Sequence, residues 1–180
     1  MFNTLDQQLI QYAKYHRDHR NILTHFAGIP LIVFAVLTLA SLPQWHIVLP
    51  GIGDTVITPA FVIWVMANLY YLKLNVFLGF AMVLFTAILL LGGQYVAGLS
   101  TVMWLSTGIG TFIFGWVLQF IGHYYEGKKP AFVDDLTGLV IGPLFIMAEW
   151  CFALGFAKDL QSRIDAQAGM VKYQYKSTRT

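Results

Sequence analysis

Gln119-Phe-Ile-Gly-His123-Tyr-Tyr-Glu126-Gly-Lys128-Lys129-Pro130 closes a long apolar run and opens a polar island. The run before it, about 98–122, approaches or exceeds the roughly 20 apolar residues that cross a bilayer. In the island, His123 and Glu126 are three apart and share a face at a helix end. A second stretch has the same character: Tyr15-His16-Arg17-Asp18-His19-Arg20-Asn21-Ile22-Leu23-Thr24-His25. These two stretches are expected to meet at one membrane edge and bind one metal.

The rest of the chain fits a membrane setting. It is 57% hydrophobic and 11% charged, where a soluble domain carries about a quarter charged residues. The expected fold is all-α: an integral membrane helical bundle, one membrane-embedded domain over 1–180. A net charge of +2, spread over loops and termini, gives no patch for nucleic acid. The single Cys151 lies in an apolar run, so no disulfide framework is expected. No cleavable signal peptide is read in the polar first 25 residues.

In order, 4–16 reads as an amphipathic helix, with Leu5, Leu9, Tyr12 and His16 on one face, and 1–20 as a surface helix. A break is expected at 18–21, with Asn21 as N-cap of the next helix. The membrane bundle, 21–157, contains about four transmembrane helices: 21–42 with Pro30 inside it, 59–72, 75–92 and 98–122. A loop is read over 43–58 and a turn at Gly92-Gly93-Gln94. The last apolar run, 136–156, is expected to break at Gly142-Pro143, which would return the polar tail 158–180 to the side it left and bring Glu149 back toward the histidines. Lys14, Arg17 and Arg20, with Lys128 and Lys129, put both histidine stretches on the cytoplasmic side by the positive-inside rule. The tail, with Lys158, Arg163, Lys172, Lys176 and Arg179, favours the same side.

His16 and His25 are nine apart, half a turn out of phase on one straight helix. A break between them lets both turn inward. Four of the five histidines fall in the two stretches, and imidazole suits Fe, Zn, Cu or Ni. Taken singly, each reads first as an interfacial histidine bonded to lipid or water; the clustering is what favours a metal. His19 competes with His16 as a ligand, and His46 falls on the opposite side. Glu126 reads as a ligand or as an acid supporting one. Glu149 has no polar neighbour in sequence, and an intramembrane carboxylate needs a partner: a metal, a metal-bound histidine, or a hydrogen bond that keeps it protonated. Asn21 serves as a cap or near the metal. Arg17, Lys128 and Lys129 are orientation signals or steer an anionic headgroup.

Three groups of residues carry a family resemblance. They are His16, Asn21 and His25 with Gly28 and Pro30; Gln119 to His123 with Glu126 and Lys128-Lys129-Pro130-Ala131; and Gly142-Pro143-Leu144-Phe145 with Glu149. In this order they resemble the membrane 2-hydroxy fatty-acid dioxygenase family, once labelled domain of unknown function 962. It includes an endoplasmic-reticulum enzyme of fungal phytosphingosine breakdown. The resemblance spans 12–156. It implies an Fe2+-dependent α-oxidation in which a 2-hydroxy fatty acid and O2 give an acid one carbon shorter, CO2 and water. It also implies His16, His25 and His123 as metal ligands, and Glu149 as a ligand or a group supporting one. Beside these, the residues themselves suggest Asn21, Glu126 and His19 near the metal, His19 lying between the motif positions, and Arg17, Lys128 and Lys129 near the substrate. The implied setting is a bacterial inner membrane, or the endoplasmic reticulum in a eukaryote. The alternatives are a bis-histidine haem protein on His25 and His123, and a small channel or transporter with Glu149 as its proton site. A di-iron hydroxylase is disfavoured because no two histidines are adjacent.

Overall fold

The computed structural model describes residues 4–51, 53–130, 133 and 136–173. Ala131, Lys176 and Arg179, which the sequence reading used, lie outside them. Among the described residues the chain forms seven α-helices and one hairpin. These are α1 (Leu5–Ala13), α2 (His19–Leu39), β1 (Trp45–Leu49), β2 (Gly53–Ile57), α3 (Pro59–Leu74), α4 (Val76–Leu99), α5 (Thr101–Glu126), α6 (Thr137–Ala153) and α7 (Lys158–Ala168). The all-α membrane bundle is borne out. Three helices, α2, α4 and α5, are long and apolar enough to cross a bilayer, and the bent pair α6–α7 makes a fourth if counted as one span. α3 is apolar but shorter, at 16 residues. The chain divides into two compact units, one of residues 29–116 and one of residues 1–28 with 117–180.

In the first unit, one residue both ends α3 and starts α4. The Asn75 N–H returns to the Tyr71 carbonyl (3.0 Å), and its side chain accepts the Leu78 N–H (2.9 Å). Any Cβ at Gly79 would run into the Leu72 backbone, so glycine permits this tight α3–α4 joint. The helices are then tied inside by Thr86, whose hydroxyl accepts from Trp64 Nε1 (2.9 Å) and Asn68 Nδ2 (3.0 Å). Leu37, Ala60 and Leu90 form one buried apolar cluster. Outward positions such as Met66, Phe80, Leu84 and Ile88 are exposed apolar side chains, as lipid-facing positions are.

Two expectations about this unit change. Residues 43–58 are not an irregular loop: β1 and β2 pair antiparallel from Trp45 opposite Ile57 to Leu49 opposite Gly53. There is no turn at Gly92-Gly93, since α4 runs on to Leu99. A Cβ at Gly93 would press within about 3 Å of Thr38, so the glycine serves close helix packing. The break comes at Ser100, whose hydroxyl accepts the Met103 N–H as α5 begins.

In the second unit, α1 opens with a capping box between Thr4 and Gln7. Its apolar face (Leu5, Leu9, Ile10, Tyr12, Ala13) is buried, and α1 packs on α6 and α7. Leu144, Phe145 and Ala148 of α6 and Leu160 and Ile164 of α7 are buried as well, and Phe145 meets Tyr12 of α1. Part of the stretch read as a polar tail is therefore the helix α7, joined to α1 also by Arg163 with Asp6.

The break expected at Gly142-Pro143 is displaced. α6 continues through Pro143. A proline there removes one main-chain hydrogen bond, which a packed apolar helix tolerates. The helix stops instead at Gly155, whose φ is 90°. The Phe156 N–H bonds the Cys151 carbonyl (2.8 Å) and the Gly155 N–H the Phe152 carbonyl (3.0 Å), a Schellman ending. α7 then leaves at 117° to α6.

Candidate metal centre

The break between His16 and His25 falls earlier than 18–21. α1 ends at Ala13 and α2 starts at His19. Asp18, rather than Asn21, closes the first turn of α2. Its carboxylate accepts the Arg20 N–H (2.9 Å) and its carbonyl the Ile22 N–H (3.1 Å). His16 thus sits outside any helix and turns onto α2, while His25 lies nearly two turns into α2. His123 comes from the last turn of α5.

The three rings converge. His16 is 0% exposed, His25 1% and His123 6%. Ring centroids are 4.6 Å apart for His16–His25, 4.9 Å for His16–His123 and 5.0 Å for His25–His123. One nitrogen from each lies within 4.8 Å of the others. Tyr12 stacks flat on His16 at 4.1 Å, and Phe145 of α6 lies against both rings.

The hydrogen bonds choose the tautomers. His16 Nδ1–H donates to the Tyr12 carbonyl (2.8 Å), and His25 Nδ1–H donates to the Asn21 carbonyl (2.9 Å). A carbonyl only accepts, so each Nδ1 must carry the hydrogen and each Nε2 a lone pair. Those two Nε2 atoms face each other at 3.2 Å. A shared proton would put an imidazolium in a buried pocket. Burial, followed by the neighbouring His25 ring, holds the His16 imidazole well below its usual 6.5. His123 adds a buried Nδ1 without a hydrogen-bond partner. Two facing lone pairs with a third imidazole nitrogen close by fit a cation. The 3.2 Å spacing suits two imidazoles sharing one ion at about 2.1 Å each. Three protein donors leave positions open for outside ligands.

Glu126 holds this arrangement without joining it. Its Oε2 accepts the main-chain N–H of Arg17 (2.9 Å) and of Asp18 (2.8 Å), and Asn21 Nδ2 (3.0 Å). Asn21 also donates to the Tyr15 carbonyl (3.2 Å). The end of α5 therefore grips both sides of the His16 turn. At Gly122 a Cβ would collide with Thr24 Oγ1 and Asn21 Oδ1, so glycine allows α5 to lie this close to α2.

Arg17, 4% exposed, reaches Glu149 (3.5 Å) and Asp165 (3.1 Å), and donates to the His16 and Gly169 carbonyls. The partner of the apolar-run carboxylate Glu149 is thus a guanidinium. The chain just beyond α7 returns to the same turn, with Lys172 N–H on the Arg17 carbonyl (2.7 Å) and His19 N–H on the Lys172 carbonyl (3.2 Å).

Of the residues singled out in the sequence, the structure brings His16, His25 and His123 together, with Asn21 and Glu126 around them. Glu149 stands beside Arg17. His19 lies against Tyr173 at 4.6 Å, outside the trio. Lys128 is exposed and donates to the Lys14 carbonyl (2.7 Å), and Lys129 is exposed. His46 is in β1 beside Asp54. The sequence reading gave no role to Tyr12 as a platform, to Asp165, or to Gln119, which is 5% exposed with Nε2 unpaired. The signal for Gln119 was its spacing, four residues before His123 on one helix face.

Comparison with known proteins bears on this site. The family described as 2-hydroxy-palmitic acid dioxygenase Mpo1-like matches residues 2–154. The 2-hydroxy-palmitic acid dioxygenase MPO1 of Saccharomyces cerevisiae (strain ATCC 204508 / S288c) is 29% identical over 163 residues, covering 89% of this chain and 87% of that protein. No solved structure matches.

Proposed function

The chain belongs to the 2-hydroxy-palmitic acid dioxygenase Mpo1-like family, and on that premise we propose that it is an iron-dependent dioxygenase of 2-hydroxy fatty acids. The reaction is R–CH(OH)–COOH + O2 → R–COOH + CO2 + H2O. The C1–C2 bond breaks, O2 is the sole oxidant, and no external reductant is required. The observation that supports this reading is the facing pair of Nε2 lone pairs, 3.2 Å apart on two buried rings.

His16, His25 and His123 would hold the iron, which supplies O2 activation and a site for the two oxygens of a 2-hydroxy carboxylate. The Tyr12 and Asn21 carbonyls keep the His16 and His25 hydrogens on Nδ1, so both rings bind through Nε2. Glu126 fixes the turn that carries His16. The Arg17–Glu149–Asp165 network ties that turn to α6 and α7. Lys128 and Lys129, exposed at the end of α5, would steer anionic headgroups toward this end. The acyl tail would stay in apolar surroundings.

The basic residues of the two histidine stretches favour a cytoplasmic-facing site. That is the inner membrane in a bacterium, or the endoplasmic reticulum in a eukaryote. The direct T-shaped contact of the His25 and His123 rings, centroids 5.0 Å apart, leaves no room for a porphyrin between them and favours one ion over a haem. The Arg17 partner of Glu149 favours a structural ion pair over a proton-carrying site.

The test is product chemistry. Purified, iron-loaded protein given 2-hydroxyhexadecanoate should yield pentadecanoate and CO2. Recovery of unchanged substrate, with iron bound, would refute the activity.

A further inference from the structure

Gln119, Gly122, His123 and Glu126 form one stripe along α5. Their partners run backwards along the start of α2. Glu126 meets Arg17, Asp18 and Asn21, whereas Gly122 meets Asn21, Thr24 and His25. Gln119 therefore lies about 6 Å further along α5 than His123, at four residues of 1.5 Å rise, and on the side away from the charged clamp. There it is 5% exposed, and its Nε2, a double hydrogen-bond donor, has no partner.

A buried, unpaired donor destabilises the fold, and one beside a metal-binding cluster calls for an oxygen that arrives with a ligand. Arg17, the cation next to His16, cannot supply the same recognition, because it is engaged by Glu149 and Asp165. Building on the activity proposed above, we infer that Gln119 binds substrate: its Nε2–H donates to the carboxylate of the 2-hydroxy acid, on the oxygen left outside the iron. A 2-hydroxy carboxylate held through its hydroxyl and one carboxylate oxygen leaves the other oxygen anionic and in need of a donor. Gln119 fills that need from the side where the acyl chain begins. It thereby sets the headgroup's orientation and favours free acids over esters.

The test compares wild type, Gln119→Leu and Gln119→Glu, loaded with iron and kept anaerobic. Calorimetry measures binding of 2-hydroxyhexadecanoate and of its methyl ester, and thermal unfolding is followed without ligand. Gln119→Leu should keep its iron and unfold at the wild-type temperature or above, because it removes an unpaired donor. Its affinity for the free acid should fall roughly 10- to 100-fold, the worth of one hydrogen bond to a charged group. Its affinity for the ester should stay unchanged. Gln119→Glu should weaken acid binding further, since it sets a carboxylate against a carboxylate. Wild-type acid affinity in Gln119→Leu overturns the inference. So does a lowered unfolding temperature with acid and ester affected alike, which marks a structural role. If wild type neither binds nor consumes the free acid, the proposed activity falls and this inference with it. If wild type does both and Gln119→Leu matches it, only the inference falls.

Discussion

Replacing Glu126 separates holding the metal from holding the turn that binds it. Its Oε2 accepts three N–H groups, two from the main chain on the C-terminal side of His16 and one from Asn21. Glu126→Ala leaves both main-chain donors without this acceptor. An unmade hydrogen bond of a buried donor costs about 1–3 kcal/mol. Glu126 is only half-buried, so water recovers part of that. The expected loss is about 2–4 kcal/mol of stability, with metal affinity lowered roughly 100-fold because His16 sits next to the released bonds. Glu126→Gln keeps an oxygen acceptor and the same shape but loses the charge. It should cost about 1–1.5 kcal/mol and about tenfold in metal affinity. The assay is anaerobic Fe(II) titration of purified protein, paired with thermal unfolding in the same detergent. Wild-type affinity and stability in Glu126→Ala would refute the clasp. Complete loss of metal in a well-folded Glu126→Gln protein would make Glu126 a ligand instead.

Three more outcomes follow from the same geometry. His16→Ala, His25→Ala and His123→Ala should each abolish stoichiometric metal binding, whereas His19→Ala, whose ring lies against Tyr173, should retain it, as elemental analysis of the purified variants would show. Arg17→Met should destabilise by about 2–4 kcal/mol by leaving the half-buried Glu149 uncompensated; adding Glu149→Gln should recover part of the loss, as read by chemical unfolding. The third concerns pH. His16, neutral in the fold, titrates near 6.5 once unfolded, so below that pH the unfolded chain takes up a proton that the folded one refuses. Metal-free protein should therefore keep this contribution above about pH 6.5 and lose up to about 1.4 kcal/mol per pH unit below it. Unfolding midpoints measured from pH 7.5 to 5 that stay level, or rise toward acid, would contradict the buried neutral ring.

The helices were readable because lipid-crossing segments are long and uniformly apolar, which survives any packing detail. Their ends were less so. Gly92-Gly93 looks like a turn in sequence but is a packing notch against Thr38, and only the neighbouring helix distinguishes the two. Pro143 looks like a breaker, yet α6 carries it, and the stop is set by Gly155 and its returning hydrogen bonds. The hairpin of 45–57 was hidden because its exposed strands lack clear alternation. At the site, His16, His25 and His123 were visible as chemistry without an apolar reason to be there. Glu149 was visible as an oddity, but its partner was not: Arg17 is 132 residues away in sequence and meets it only when the turn after α1 comes to lie beside α6. His19 was indistinguishable from His16 until the break at 14–18 turned one inward and the other toward Tyr173.

The central claim is that three buried imidazoles hold one iron. X-ray absorption of iron-loaded protein, with iron content measured on the same sample, tests it most directly. The account predicts one iron per chain with three imidazole nitrogens around it, and loss of one imidazole together with most of the iron in His16→Ala. Iron that is absent from folded wild-type protein, or ligated mainly by oxygen and indifferent to His16→Ala, would contradict it.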